Sequence, residues 1–265
     1  MKKILQFNNI FAFIATVFIN YISNTGLINN TTIGGNSDSL RTLFTPAGFA
    51  FAIWGLIYLL LAGFIFYQSR SLFVKVSNDD FILKVGWWFF ISCLANSLWV
   101  IAWLYGYIGL SLVFMFTLLY CLLKIVWNNT MELWDAPFPT IAFLWWPFAI
   151  YSGWITVASI ANVSAYLTKI NWNGFGISDT VWTVLMILIA GIINQLMIWK
   201  RNMRAFALVG IWALGAIASA NKGLNETVQY TALVVMGILL LSALAHGIKN
   251  RKTNSFLKLV QYFKK

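Results

Sequence analysis

The chain has 265 residues, of which 60% are hydrophobic and only 9% are charged. A soluble domain carries about 25% charged residues, so this composition leaves too little polar surface for a water-soluble fold. The net charge of +11 would suit nucleic acid only on a soluble basic face, and we therefore predict no nucleic-acid partner. The composition predicts an integral membrane protein.

Apolar runs separated by turn-forming and charged residues predict an all-α fold, a polytopic bundle of about eight transmembrane helices. Each helix needs about 20 mostly apolar residues to cross the hydrocarbon. We number the predicted spans 1 to 8. They cover Phe7–Ser23, Ala47–Gln68, Ile82–Leu104, the segment from a tight turn at Gly106 to Trp127, Thr140–Leu167, Thr180–Trp199, Arg204–Ala220 and Val228–Gly247.

Three features of the sequence bear on the boundaries of these spans. Span 5 is long enough to be tilted or bent, with Pro147 as the candidate kink. The short basic link Lys200–Arg204 makes the division between spans 6 and 7 the easiest to lose. The Lys2-Lys3 pair before span 1 also fits a signal peptide, but no small-residue cleavage site follows near Ser23, which favours a retained span.

The distribution of basic residues predicts the orientation of the bundle. With the N-terminus inside, 15 of the 18 Lys and Arg residues fall on the cytoplasmic side. The other side keeps Arg41, Lys169 and Lys222. This is the asymmetry that the positive-inside rule requires, and gaining or losing one span would scramble it. The count therefore favours an even number of spans with both termini in the cytoplasm.

The spans lack the groups that most membrane chemistry needs. No charged residue lies near a predicted helix midpoint, and the single histidine, His246, falls in the last turn of span 8. Proton relays, metal sites and acid–base catalysis need such groups within the membrane. Cys93 and Cys121 lie in separate spans and are interpreted as packing residues. We therefore predict no catalytic residue, no metal site and no required cofactor.

Aromatic residues lie deep in three of the predicted spans. Trp54 and Tyr58 in span 2 are four residues apart, and Tyr151 and Trp154 in span 5 are three apart, so each pair shares a helix face. Span 3 adds Trp99 and Trp103 at similar depth. Such a set could line a pocket for a flat apolar ligand, or it could simply fill the core with large side chains.

Three motifs resemble the tryptophan-rich sensory protein/translocator (TspO/MBR) family. The first is the start of span 2, where Pro46 is followed by Trp54 and Tyr58. The second is the Asn96-Ser97-Leu98-Trp99 segment of span 3, which leads to the turn at Gly106. The third is the segment from Pro147 through Tyr151 to Trp154 in span 5. The segment from Pro46 to Tyr58 is the most specific of the three.

The resemblance covers residues 1–167, the five helices of that family. It implies an extended member with three additional spans in residues 168–248 and a basic cytoplasmic tail in residues 249–265. The sequence also departs from the family pattern, because Val100, Ile101 and Ala102 stand where prolines are expected.

By this resemblance the protein would be a ligand-binding or sensory membrane protein of the translocator type. Porphyrin or haem would be its ligand rather than a cofactor, and the bacterial inner membrane its location, with a homodimer as an assembly seen in the family. The loop of residues 30–44 would form a lid. The implied ligand-binding residues are Trp54, Tyr58, Asn96, Trp99, Trp103, Tyr151 and Trp154, with Phe44 and Pro46 at the lid and entrance.

Two other function classes stay open at this stage. A transporter of small hydrophobic solutes would fit the eight spans, although no pair of broken helices is visible in the sequence. An integral membrane enzyme acting on a lipid-soluble ligand is disfavoured, because no acid–base pair falls within the spans.

Overall fold

The computed structural model describes residues 1–76, 78–250, 259, 260 and 262. These residues form a helical bundle in which eight helical segments correspond to the eight predicted spans. Spans 1 to 8 are Lys2–Ile22, Gly48–Phe73, Trp88–Leu104, Ile108–Asn128, Phe138–Lys169, Asp179–Arg201, Arg204–Ala220 and Glu226–Lys249. The protein is therefore a multi-pass membrane protein. Most of the predicted tail, residues 249–265, lies outside the described residues.

Spans 3 and 7 are shorter than the other six. Each has 17 residues, a rise of about 25 Å, which is at the lower limit for crossing the hydrocarbon. A separate helix, Phe81–Val85, precedes span 3. The prediction of one continuous helix from Ile82 was therefore wrong. The chain breaks at Gly86, whose φ of +53° is open to glycine and strained for other residues.

Two other spans begin irregularly. Span 2 starts with a 3₁₀ segment, Gly48–Ala52, before the α-helix from Ile53. In span 5 a π-helical turn, Ile141–Trp145, lies directly before Pro147. Proline has no N–H and its ring clashes with the carbonyl four residues earlier, so a wide turn accommodates it. The irregularity expected at Pro147 is thus present as a widened turn.

The side chains of span 1 show that the bundle is adapted to lipid. Asn9, Thr16 and Asn20 are buried against the other spans, whereas Phe11 and Phe18 are more than half exposed. In water this arrangement would be inverted. In a bilayer the polar groups need partners inside the protein, and the exposed apolar rings face hydrocarbon at no cost.

Polar contacts show which segments meet at each end of the bundle. Lys2 Nζ lies 2.6 Å from Asp79 Oδ1 in the loop before span 3, and this bond holds the pKa of the Asp79 carboxyl below its usual value. At the same end, Asn202 between spans 6 and 7 donates to the Glu132 carbonyl at 3.0 Å. At the opposite end, Asn225 donates to Thr180 at 2.8 Å. We call the first the basic end.

Spans 5 and 7 pack closely at a glycine. A Cβ placed on Gly153 would lie 2.9 Å from the Phe206 carbonyl oxygen and 3.1 Å from Val209 Cβ. Small residues at such positions let helix backbones approach within van der Waals distance. The last three spans are thus joined to the first five by direct helix contact. Whether residues 1–167 and 168–248 are two separate units stays a prediction.

This contact leads to a prediction for substitution of the glycine. We expect Gly153→Ala to destabilise the protein by about 1–2 kcal/mol, because the added methyl group meets a backbone atom that cannot move freely. A matched control is Gly55→Ala in span 2, where nothing lies within 4 Å of the added Cβ. The thermal unfolding midpoint in detergent should fall only for Gly153→Ala. Equal midpoints for the two variants would contradict the close packing.

Candidate functional site

The six predicted aromatic side chains meet in one cluster, which we call the aromatic chamber. Trp54 of span 2 is at its centre, stacked on Tyr58 at 5.6 Å and on Trp99 at 6.3 Å between ring centroids. It also meets Tyr151 at 5.9 Å and Trp154 at 6.3 Å edge to face. Trp103 stacks on Trp99 at 6.0 Å, which completes the chamber.

Hydrogen bonds fix the part of the chamber formed by span 3. The Trp99 indole N–H donates to Asn162 Oδ1 at 2.9 Å, and the Trp103 indole N–H donates to the Ile33 carbonyl at 3.2 Å. Because both indoles have partners, these rings are held in one orientation. Span 3 therefore forms a fixed wall of the chamber.

Asn96 lies behind this wall and is fully buried. Its amide nitrogen donates to the Tyr151 hydroxyl at 3.0 Å, and its oxygen accepts from Asn20 of span 1 at 2.7 Å. Asn20 also donates to the Thr16 carbonyl in its own helix. The predicted site residue Asn96 thus positions Tyr151 and links spans 1, 3 and 5.

Three polar atoms of the chamber have no hydrogen-bond partner among the residues that the structure describes. They are the indole nitrogens of Trp54 and Trp154 and the hydroxyl of Tyr58, and all three atoms are buried. An indole N–H can only donate, so it can be satisfied only by an acceptor. Leaving a buried donor without an acceptor costs about 1–3 kcal/mol. The unpartnered donors belong to spans 2 and 5, whereas the two bonded indoles belong to span 3.

The open space near the chamber is divided by Trp54 into two parts. An inner cavity of about 50 Å³ lies between Trp54, Trp99, Trp103 and Trp154. An outer cleft of about 430 Å³ lies between span 1, the lid loop and span 2. Trp54, Phe51 and Ile33 line both spaces. The aromatic rings therefore largely fill the chamber, and the larger space is on the far side of Trp54.

The sequence analysis missed the wall of the cleft that belongs to span 1. Val17, Asn20, Tyr21 and Asn24 line the cleft from this side. A signal was available, since Thr16 and Asn20 lie four residues apart on one face of span 1, and Asn24 follows at the same interval just beyond the end of the helix at Ile22. Asp38 of the lid loop brings one acidic side chain to the cleft.

The predicted lid covers the chamber at the end opposite the basic end. It contains a short helix, Ile33–Ser39, which the sequence did not predict. Trp103 is held from both sides here, because its indole donates to Ile33 and its carbonyl accepts from Asn36 at 2.5 Å. Phe44 is buried, and Pro46 lines the inner cavity. The lid and the chamber are thus one bonded unit.

Span 7 holds the start of span 2 in place. Asn221 donates to the Leu43 carbonyl at 2.8 Å, and the Ala47 N–H donates to the Ala216 carbonyl at 3.1 Å. The Trp212 indole N–H donates to the Ala50 carbonyl at 3.3 Å. These bonds satisfy backbone groups that the 3₁₀ segment and the preceding loop leave free. They also fix the direction in which Phe51 and Trp54 enter the chamber.

This arrangement defines a class of membrane protein, a helical bundle with a lidded aromatic chamber between spans 2, 3 and 5. The sequence model of the family described as TSPO-like protein matches residues 4–245. The chain therefore belongs to the TSPO-like protein family, and the match extends through spans 6 and 7 and nearly all of span 8. No curated protein and no solved structure matches the chain.

The buried position of Asn96 leads to a second prediction. We expect Asn96→Leu to lower stability by about 1–3 kcal/mol, because it removes two interhelical hydrogen bonds and leaves Asn20 and Tyr151 without their partner. The control is Thr117→Val, whose hydroxyl bonds only the Val113 carbonyl of its own exposed helix face. Thermal unfolding in detergent measures both. A Thr117→Val effect as large as that of Asn96→Leu would contradict the role given to Asn96.

Proposed function

We propose that the protein binds a flat hydrophobic molecule of the porphyrin type in the outer cleft, against the ring of Trp54, and acts as a ligand-binding or sensory protein of the translocator type. The family supplies the class of protein, a TspO-type membrane protein. The aromatic chamber and the cleft beside it support a flat ligand at this place.

One observation carries this proposal: the largest described space beside the chamber is bounded by stacked aromatic rings with unsatisfied donors. Trp54 and Tyr58 line the cleft and stack with 18° between their planes, so together they offer extended π surface. A flat conjugated ligand stacks on such a surface and buries apolar area. The stacking requires no charged group in the spans.

The unpartnered donors indicate what else the ligand carries. The Trp54 and Trp154 indole N–H groups and the Tyr58 hydroxyl can all donate to an oxygen or nitrogen acceptor. Because these atoms are buried and Trp154 lines only the inner cavity, a ligand with acceptors on its rim would satisfy them once the Trp54 ring is displaced and the cleft joins the inner cavity. A saturated hydrocarbon of the same size would gain none of these bonds. The proposal is therefore for a flat ligand with acceptor groups.

Fluorescence titration in detergent tests this proposal. Wild-type protein titrated with protoporphyrin IX should show saturable quenching of tryptophan emission. Affinity should fall about tenfold or more in Trp54→Leu, because the substitution removes the stacking surface and one donor. Trp154→Phe keeps an aromatic ring and removes only the donor, so its loss should be smaller, about 3- to 10-fold for one hydrogen bond.

The matched control is Trp127→Phe, which removes an exposed tryptophan of span 4 outside the chamber. Its affinity should equal that of the wild type. Quenching that does not saturate, or that weakens equally in Trp54→Leu and Trp127→Phe, would overturn the proposal. Bound ligand that also appears inside proteoliposomes, at a rate lowered by Trp54→Leu, would indicate that binding serves transport.

The proposal includes the setting of the protein. We place it in the inner membrane of a bacterium, with the basic end in the cytoplasm as the positive-inside rule requires, and as a homodimer. The cleft then opens toward the outer side, at the end where the lid and Asp38 lie.

A further inference from the structure

A second open space lies far from the chamber, on the outer surface between spans 6 and 8. We call it the membrane groove. Its volume is about 360 Å³, and its walls are almost entirely aliphatic. Leu188, Ile192, Leu196 and Ile238 are each more than 40% exposed there, so the groove faces hydrocarbon rather than the bundle interior. The remaining lining residues are Gly191, Gln195, Trp199, Lys200, Val235 and Leu239.

The groove exists because span 6 carries a glycine at its crossing with span 8. A Cβ on Gly191 would lie 2.7 Å from Val235 Cγ1, so the helices touch at this level. From this contact the groove runs toward the basic end between rows of larger side chains. The space is lined by spans 6 and 8 and continues along span 6 from Leu188 to Lys200.

A rigid tryptophan closes the groove at the basic end. The Trp199 indole N–H donates to Ser242 at 2.7 Å and to Gln195 at 3.1 Å, and Ser242 donates to Gln195 at 2.7 Å. The edge of the ring is also packed by His246 at 5.1 Å. A ring with satisfied hydrogen bonds at the level of the interface marks where hydrocarbon gives way to headgroups.

Two lysines converge on this tryptophan. Lys200 lines the groove, and Lys249 Nζ lies 5.7 Å from the centre of the Trp199 ring. None of the described residues that line the groove is acidic. The groove thus joins an aliphatic channel to a locally positive rim, which complements a molecule with an acyl chain and an anionic head.

We propose that the membrane groove is a binding site for an anionic glycerophospholipid of the cytoplasmic leaflet. One acyl chain lies along Leu188, Ile192 and Ile238, and the phosphate lies between Lys200 and Lys249 beside Trp199. The site is separate from the aromatic chamber, since none of its residues lines the chamber or the cleft. The membrane groove also binds a different class of ligand, a lipid whose anionic headgroup is recognised by the two lysines.

The chain contains a matched comparison for the lysines. At the same end of the bundle, Lys124 Nζ lies 5.7 Å from the ring of Trp88, the same distance as in the Lys249–Trp199 pair. Lys84 lies near this pair, since its carbonyl accepts from Asn128 in the last turn of span 4. No groove among those described is lined by Lys84 or Lys124. Substitution of Lys84 and Lys124 therefore removes two positive charges at the same end of the bundle without affecting the membrane groove.

The test measures lipid binding to delipidated protein, with native mass spectrometry to detect the bound lipid. Phosphatidylglycerol and phosphatidylcholine with identical acyl chains are titrated separately, and glycerol 1-phosphate supplies the headgroup without chains. Because each lysine beside a bound anionic headgroup contributes about fivefold to lipid affinity, Lys200→Gln/Lys249→Gln should weaken phosphatidylglycerol binding about 25-fold. It should weaken phosphatidylcholine binding much less, because the choline ammonium of that lipid offsets the phosphate charge that the lysines attract. Lys84→Gln/Lys124→Gln should leave both lipids unchanged.

A second pair of variants tests the channel. Ile238→Trp places a large ring in the groove and should weaken both lipids, whereas Leu241→Trp, at an exposed position of span 8 outside the groove, should weaken neither. Equal phosphatidylglycerol affinity in wild type and Lys200→Gln/Lys249→Gln would overturn the headgroup site. Ile238→Trp without effect would overturn the channel. Binding of glycerol 1-phosphate as tight as that of the lipid would contradict a lipid site.

Discussion

The structure depends on one constraint: a segment of chain enters the membrane without being an α-helix, and its backbone groups need partners there. Residues 43–52 pass through a turn and a 3₁₀ segment before span 2 becomes regular. In a low-dielectric setting every free N–H and C=O must be bonded. Span 7 supplies these bonds through Ala216, Asn221 and Trp212. The entrance angle of Trp54, and with it the chamber, follows from this support.

The eight spans were predictable because lipid selects for simple properties. Runs of about 20 apolar residues are enough to count the helices. The orientation that the 15 to 3 division of basic residues indicates stays a prediction. Irregularities inside the spans were harder to foresee. The helix breaks at Gly86 within a largely apolar segment, so hydropathy does not reveal the break. The π-helical turn before Pro147 widens the helix, but its residues are as apolar as those of an ordinary span. The division between spans 6 and 7 falls at Asn202, whose backbone adopts the left-handed conformation with a φ of 58°.

The aromatic part of the candidate site was predictable because helical spacing places Trp54 with Tyr58, and Tyr151 with Trp154, on single faces. Their convergence, however, depends on tertiary packing. The wall from span 1 was missed because Asn20 and Asn24 look like ordinary loop-proximal polar residues until Asn96 is seen to bond Asn20. The position of Trp54 between the inner cavity and the outer cleft likewise depends on how three helices pack, so it could not be predicted from the sequence of span 2 alone. Which indoles lack a partner cannot be inferred from one helix alone.

The bonds between span 7 and residues 43–50 also have a consequence for biosynthesis. Spans are inserted in chain order, so span 2 enters the bilayer long before residues 212–221 leave the ribosome. Until then the carbonyls of Leu43 and Ala50 and the N–H of Ala47 lack the partners that they have in the finished protein. The pocket is therefore completed late, when span 7 docks. A chain that stops after span 5 would contain every ring of the chamber and still lack the groups that aim them.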